Sequence, residues 1–300
     1  MTISKLVSII IPARNEIFLE KTIRDILAKA RGPIEVIPVL DGYWCNPDEI
    51  VEDKRVSYLH FGESHGMREA INAAVRKAKG EYILKCDAHV MFDEGFDVKL
   101  VADVPTYQEK SGSADNWIVI PRRKRLDAEA WAIQDVGKID VDYEFLSSSA
   151  DNGAKGNIWT ERAMARLNDP KYDIDENMTF QGSCWFMPRT HYLDRLGGMS
   201  EVGYGTFVRE AQEIGLKTWL GDGRIFTNKR TWYAHLHKGP KYGRMYFLNK
   251  REIEEGNAYC DDFWFNNRWQ GAKRDLAWFI ERFMPVPMWT PELIEQVRKK

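Results

Sequence analysis

Short apolar runs rich in β-branched residues alternate with amphipathic stretches through the first hundred positions. Residues 6–11, 34–40, 56–60 and 82–86 have the length and composition of buried strands, while 16–30 and 67–78 carry apolar positions at helical spacing. This βαβαβ order predicts an α/β fold with a mostly parallel central sheet flanked by helices, and a ligand site beyond the carboxyl ends of the strands. The residues standing there are Pro12-Ala13-Arg14-Asn15-Glu16, Asp41-Gly42 and Asp87-Ala88-His89. Further on, the pattern predicts a strand over 117–121, an irregular polar stretch from about 146 to 157 and a strand over 180–187. A helix around 204–214 and a short strand over 217–220 follow.

From 242 to 289 the pattern changes, with 12 aromatics in 48 residues against 12% overall and a Pro285-Val286-Pro287 break between two helix-like pieces. We expect a catalytic domain over 1–245 and a helical, aromatic-rich extension over 246–300 packed on it. With 300 residues, 44% hydrophobic and 29% charged, the chain can bury a large core, and fibrous or low-complexity classes are excluded. The net charge of −2 leaves no global basic field, so any anion site is local. The longest apolar run near the start, residues 6–12, is far short of a membrane helix and lacks the marks of a secretory leader. Four cysteines without CxxC spacing support neither a disulfide framework nor a zinc ribbon. The expectation is a cytoplasmic protein with no membrane partner.

Neither GxGxxG after the first strand nor GxxxxGK[ST] occurs, which argues against dinucleotide dehydrogenases and P-loop kinases. The sharpest chemical signal is Asp87-Ala88-His89 at a strand end. Side chains two apart on an extended chain point the same way, so a carboxylate and an imidazole converge as a pair of ligands for one divalent metal. Between 224 and 251 there are eight Lys or Arg and no Asp or Glu, with His235 and His237 in the middle. Such a segment can add a third metal ligand and several cations, a composition suited to a metal-bridged diphosphate.

These residues carry a resemblance. Val7-Ser8-Ile9-Ile10-Ile11-Pro12-Ala13-Arg14-Asn15-Glu16, Leu40-Asp41-Gly42, Gly66-Met67-Arg68-Glu69-Ala70-Ile71-Asn72 and Gly80-Glu81-Tyr82-Ile83-Leu84-Lys85-Cys86-Asp87 resemble the GT-A glycosyltransferases of the family 2 type. The Asp-x-His motif is similar to that of the polypeptide N-acetylgalactosaminyltransferases. So are Gly182-Ser183-Cys184-Trp185-Phe186-Met187, the stretch from Glu210-Ala211-Gln212-Glu213 to Trp219, and His235-Leu236-His237-Lys238. The likeness covers about 1–245.

The resemblance implies a GT-A fold and a UDP-sugar-dependent hexosyltransferase using Mn²⁺ (or Mg²⁺). Its metal ligands would be Asp87, His89 and His235, with His237 in reserve. Pro12, Ala13, Arg14 and Asp41 would hold uracil and ribose, Arg68 and Lys238 the diphosphate, and Trp185 the floor under the sugar. Glu210 and Glu213 are the catalytic candidates. The aspartate that serves as base in inverting relatives is replaced by Ala211, so retention of configuration is expected, with an inverting family 2 reaction as the alternative. Pro121-Arg122-Arg123-Lys124-Arg125 is the densest cation run, and Arg122, Arg123 and Arg125 are candidates for contacting a polymeric acceptor. Stand-alone proteins of this type resemble phage enzymes, which puts hydroxymethylated pyrimidine in DNA among the acceptors, beside protein and glycan. The readings from other classes are a sugar nucleotidyltransferase and a non-catalytic nucleotide-sugar binder. His60, His65 and His191 are assigned to structure or solvent.

Overall fold

The computed structural model describes residues 5–134, 137, 139–151 and 153–299. Its strands are β1 (Val7–Ala13), β2 (Ile34–Asp41), β3 (Leu59–Phe61), β4 (Tyr82–Cys86), β5 (Val90–Phe92), β6 (Trp117–Asp127), β7 (Ala132–Ile133), β8 (Glu144–Leu146), β9 (Gly156–Ile158), β10 (Ile174–Glu176), β11 (Cys184–Pro188) and β12 (Arg224–His235). The helices are α1 (Leu19–Lys29), α2 (Met67–Lys77), α3 (Phe96–Ala102), α4 (Val104–Ser111), α5 (Thr160–Ala165), α6 (Glu210–Leu220), α7 (Gly239–Tyr242), α8 (Lys250–Phe265), α9 (Leu276–Phe283) and α10 (Pro291–Gln296).

The central sheet runs β10-β12-β6-β11-β4-β1-β2-β3. β1, β2, β3 and β4 are mutually parallel, as are β6 and β12, while β11 is antiparallel to both neighbours. β1 and β4 are buried on both faces, as their mostly apolar composition requires, and Ser8 and Lys85 are buried with them. One apolar layer includes Ile9, Ile23, Leu84 and Phe186; the other joins Ile71, Ile83 and Trp219 to Trp264, Phe279 and Trp289 from the C-terminal helices.

Two expectations are corrected. The helix predicted at 204–214 begins at Glu210, and the strand predicted at 217–220 is its last turn. Arg209 is left-handed at φ 59, which fixes the start, and nearly every residue of α6 is buried, so no polar face distinguished helix from strand. The basic segment after 224 opens as β12, which the charge pattern concealed. The register of β12 against β6 shifts between Asn228 and Trp232, and the intervening Lys229 and Arg230 reach Arg166 O and Asp103. Beyond the bulge, β12 continues beside β5 as far as His235. Within the predicted irregular stretch, the described residues include the end of β8 and the start of β9; Asn152 lies outside them.

Candidate functional site

The end of β4 and the turn that follows it bring Lys85, Asp87 and His89 together at the carboxyl end of the sheet. Lys85 is fully buried and its ammonium has three protons for three acceptors: Gly182 O at 2.6 Å, Asp87 Oδ1 at 2.8 Å and Glu210 Oε2 at 3.1 Å. Burial works against its charge, but the two carboxylates outweigh that and raise its pKa. Asp87 is likewise opposed by burial and overruled by Lys85 and the neighbouring imidazoles, which hold its carboxyl well below the usual range.

Asp87 Oδ2 lies 3.2 Å from His235 Nε2 and 3.8 Å from His89 Nε2. Backbone pairing sets these positions: His235 is in register with Val90, Leu236 N donates to His89 O at 3.2 Å, and Asp87 N donates to Ser183 O at 2.9 Å. One atom from each of Asp87, His89 and His235 lies within 4.8 Å of the others. A divalent ion bonding such donors at about 2.0–2.2 Å would separate adjacent ligands by roughly 3–3.5 Å. Asp87 and His235 already stand at that separation, and a small side-chain rotation that closes the wider spacings lets the carboxylate and two imidazoles hold one ion. Burial lowers the His235 pKa to about 4, which keeps the ring neutral and able to coordinate. His89 Nδ1 lies 3.4 Å from Glu16 Oε2, an outer carboxylate of the sort that orients a ligating ring. His237 lies beside the triad, its ring centroid 5.2 Å from that of His235.

The triad opens into a cavity of about 870 Å³ whose wall includes Pro12, Ala13, Arg14, Asp41, Gly182, Glu210 and Lys238. Lys238 pairs with Glu16 at 2.7 Å, so its charge is shared with the carboxylate behind His89. Asp41 accepts from Ser64 Oγ and His65 N, both at 2.7 Å, and from Gly66 N at 3.1 Å, which fixes the turn leading into α2. Glu210 is held from below by the Trp185 indole N–H at 2.7 Å and by Lys85; burial raises its pKa. A Cβ at Gly182 would lie 2.6 Å from Glu210 Oε2, so only glycine fits between that carboxylate and the cavity.

Several predicted residues stand elsewhere. Arg68 and Glu213 form a buried ion pair at 2.6 Å, with Tyr204 under the guanidinium at 4.2 Å and Glu213 Oε1 accepting from Ser200 N at 2.8 Å. Neither lines the cavity. Trp185 is also wholly buried, stacked on Tyr192, because alternation along β11 turns it into the layer beneath. The cation run is largely neutralised: Arg122 grips Asp142 with two bonds of 2.8 Å, Arg123 meets Glu144 at 2.7 Å and Lys124 meets Asp140 at 2.9 Å. Arg125 is half-buried. His60 stacks on Trp44, and His191 is buried against Thr218.

Sequence reasoning overlooked Lys85, Lys155 and Arg209, and gave Glu16 and Arg244 no role of their own within the loop and the basic segment that contain them. Lys85 carried a signal, since a lysine inside an apolar central strand requires a buried carboxylate. The others sit in turns whose direction only the fold reveals.

The family described as glycosyl transferase family 2 matches residues 8–189. Over 113 residues the chain is 34% identical to the glycosyltransferase GlyG of Streptococcus pneumoniae, a match covering 36% of each chain, so it spans about a third of that curated relative. The fold is similar to that of GalNAc-T7 solved with UDP, GalNAc and Mn²⁺, with a TM-score of 0.68 at 16% identity over 94% of this chain and 57% of the other. It is also similar to residues 1–349 of S. aureus TarS in complex with UDP-GlcNAc, with a TM-score of 0.55 at 16% identity over 91% of this chain and 69% of the other. Among the described residues, no helix is long and apolar enough to cross a membrane.

Proposed function

This chain belongs to glycosyl transferase family 2, and from that premise we propose that it transfers a sugar from a UDP-sugar to an acceptor hydroxyl, using Mn²⁺ or Mg²⁺ held by Asp87, His89 and His235. The observation that carries this reading is the convergence of one carboxylate and two imidazoles in a cavity of about 870 Å³. That volume is in the range of nucleotide-sized ligand sites. The relatives solved with UDP and Mn²⁺, or with UDP-GlcNAc, support the choice of donor.

When bound, the cation would neutralise charge developing on the diphosphate as the glycosyl–phosphate bond breaks. Pro12 and Ala13 face uracil and ribose, and Asp41 acts by fixing the turn beside them. Arg14 and Arg244 supply the remaining cationic contacts, in place of the buried Arg68. Retention by front-face attack is favoured: Ala211 offers no base, and Glu210 is held beneath Gly182 by Lys85 and Trp185. The acceptor oxygen then bonds to the anomeric carbon on the face the phosphate leaves, and its proton passes to a phosphate oxygen. With three cations of the 122–125 run neutralised, a glycan or protein acceptor is favoured over DNA. We further propose that residues 1–245 form the catalytic domain and 246–300 an extension packed on it, supported by the apolar layer shared by Trp219, Phe279 and Trp289.

The test is incubation with Mn²⁺ and labelled UDP-sugars beside an Asp87→Ala control. Metal-dependent release of UDP supports transfer, and anomeric NMR of the product reads the stereochemistry. Pyrophosphate exchange would mark a nucleotidyltransferase, and tight binding without turnover a binder.

A further inference from the structure

Four cations on the cavity wall have no carboxylate within 4.0 Å among the described residues: Arg14, Lys155, Arg209 and Arg244. They divide into two pairs. Arg14 lies over the Tyr246 ring at 4.7 Å and Arg244 over Phe207 at 5.0 Å, and the donor reading proposed above assigns both to the diphosphate. Lys155 and Arg209 belong to another part of the wall. Ala154 N donates to Asp261 Oδ1 at 2.7 Å, and Arg209 acts electrostatically on the same carboxylate, so the turn before β9 and the start of α6 meet there. Gly156 packs against Gln212, and Glu210 against Gly182, which joins both cations to the wall that continues from the metal triad.

Arg209 is held in a costly arrangement. Its backbone is left-handed, at φ 59, and its Nε is buried with no hydrogen-bond partner. The acidic groups at this end are already engaged: Glu144 by Arg123, Glu210 by Lys85 and Trp185, and Asp261 by Ala154 N. A planar guanidinium and an ammonium on the wall of one cavity, neither with a carboxylate partner of its own, are suited to a carboxylate or phosphate.

We propose that Arg209 and Lys155 form an anion subsite at the reacting end of the cavity, so that one of the two sugars meeting there carries a carboxylate or phosphate group. The inference rests on the UDP-sugar reading, and the anionic sugar is either the donor's or the acceptor's.

The test begins with calorimetric affinity for UDP and Mn²⁺, then measures transfer in two arms. One compares UDP-glucuronate with UDP-glucose; the other compares acceptor glycans ending in a uronate or a sugar 6-phosphate with their neutral counterparts. In one arm the anionic member should show a kcat/KM about tenfold higher or more, the scale of one charge-assisted hydrogen bond. Arg209→Gln and Lys155→Met should each bring that ratio toward one, Arg209→Lys should keep part of it, and UDP affinity should be unchanged throughout. Lys155 is exposed, so its variant answers the question even if Arg209→Gln fails to fold. Equal use of neutral and anionic sugars in both arms, a ratio indifferent to both substitutions, or weakened UDP binding in Arg209→Gln overturns the subsite. Absence of UDP binding by the wild type overturns the donor reading, and the subsite with it.

Discussion

Lys85 Nζ, on β4, lies 2.8 Å from Oδ1 of Asp87 just beyond the strand, and through its bond to Glu210 it ties the metal-facing carboxylate to the floor of the cavity. Asp87 therefore has one oxygen committed to a buried ammonium and the other turned toward two imidazoles.

Replacing Lys85 by Met leaves Glu210 buried without its cation. We expect a loss of about 3–5 kcal/mol in urea unfolding, the usual cost of removing one partner of a buried pair. Glu210→Gln in the same chain should recover part of this, whereas additive losses in the double mutant would show that the two side chains are not coupled.

The metal assignment predicts an ordered series. Asp87→Ala and His235→Ala should weaken Mn²⁺ binding by about 100-fold or more, and Glu16→Gln, which removes the carboxylate behind His89 and releases Lys238, by about tenfold. His237→Ala should change it by less than about threefold, because Asp87, His89 and His235 already account for the cluster. Mn²⁺ titration by electron paramagnetic resonance reads all four, and a larger effect for His237 than for His235 would reassign the third ligand.

Arg68 and Glu213 should report on folding rather than on donor binding. Glu213→Gln, which leaves the buried guanidinium without its counter-charge, should lower stability by about 3 kcal/mol or more. In the folded fraction, calorimetric affinity for UDP should be nearly unchanged. A tenfold loss of UDP affinity without loss of stability would return this pair to the diphosphate site.

His191 gives a pH dependence independent of any metal. Thr218 Oγ1 donates to Ile214 O at 2.8 Å, so its bond to His191 Nε2 at 2.9 Å uses the ring as donor, and His191 Nδ1 is buried unpaired. Burial lowers the pKa from 6.5 to about 3. The native ring thus stays neutral while the unfolded ring takes up a proton below about pH 6.5, so stability is lost as pH falls from there toward 3. Between pH 7 and 5, His191→Gln should lose less stability than the wild type by about 2 kcal/mol in urea unfolding. Parallel curves would mean that His191 protonates freely in the folded protein.

Much of the architecture is legible in the sequence because parallel strands buried on both faces leave nearly continuous apolar runs, broken inside β1, β2 and β4 only by Ser8, Glu35 and Lys85. Asp87 and His89 are legible as a pair for the same reason, since strand periodicity fixes their common side. What the chain did not disclose depends on pairing partners far away in sequence. Arg68, Trp185 and the 122–125 run read as binding groups until Glu213, Glu210, Asp140, Asp142 and Glu144 are seen opposite them. β12 was hidden because its basic residues cluster at the bulge, where charge masks the alternation.

The Trp289 indole N–H donates to Leu146 O at 2.7 Å, fastening the end of β8 from a segment 143 residues further along the chain. β8 pairs with β9, beside Lys155, so this side of the cavity lacks its brace until the chain as far as Trp289 has left the ribosome. A nascent chain can assemble the strands that carry Asp87 and His235 first and brace the opposite wall only after Trp289 has emerged. A cut between His235 and Trp289 accordingly keeps the nucleotide-facing strands but leaves the second wall loose.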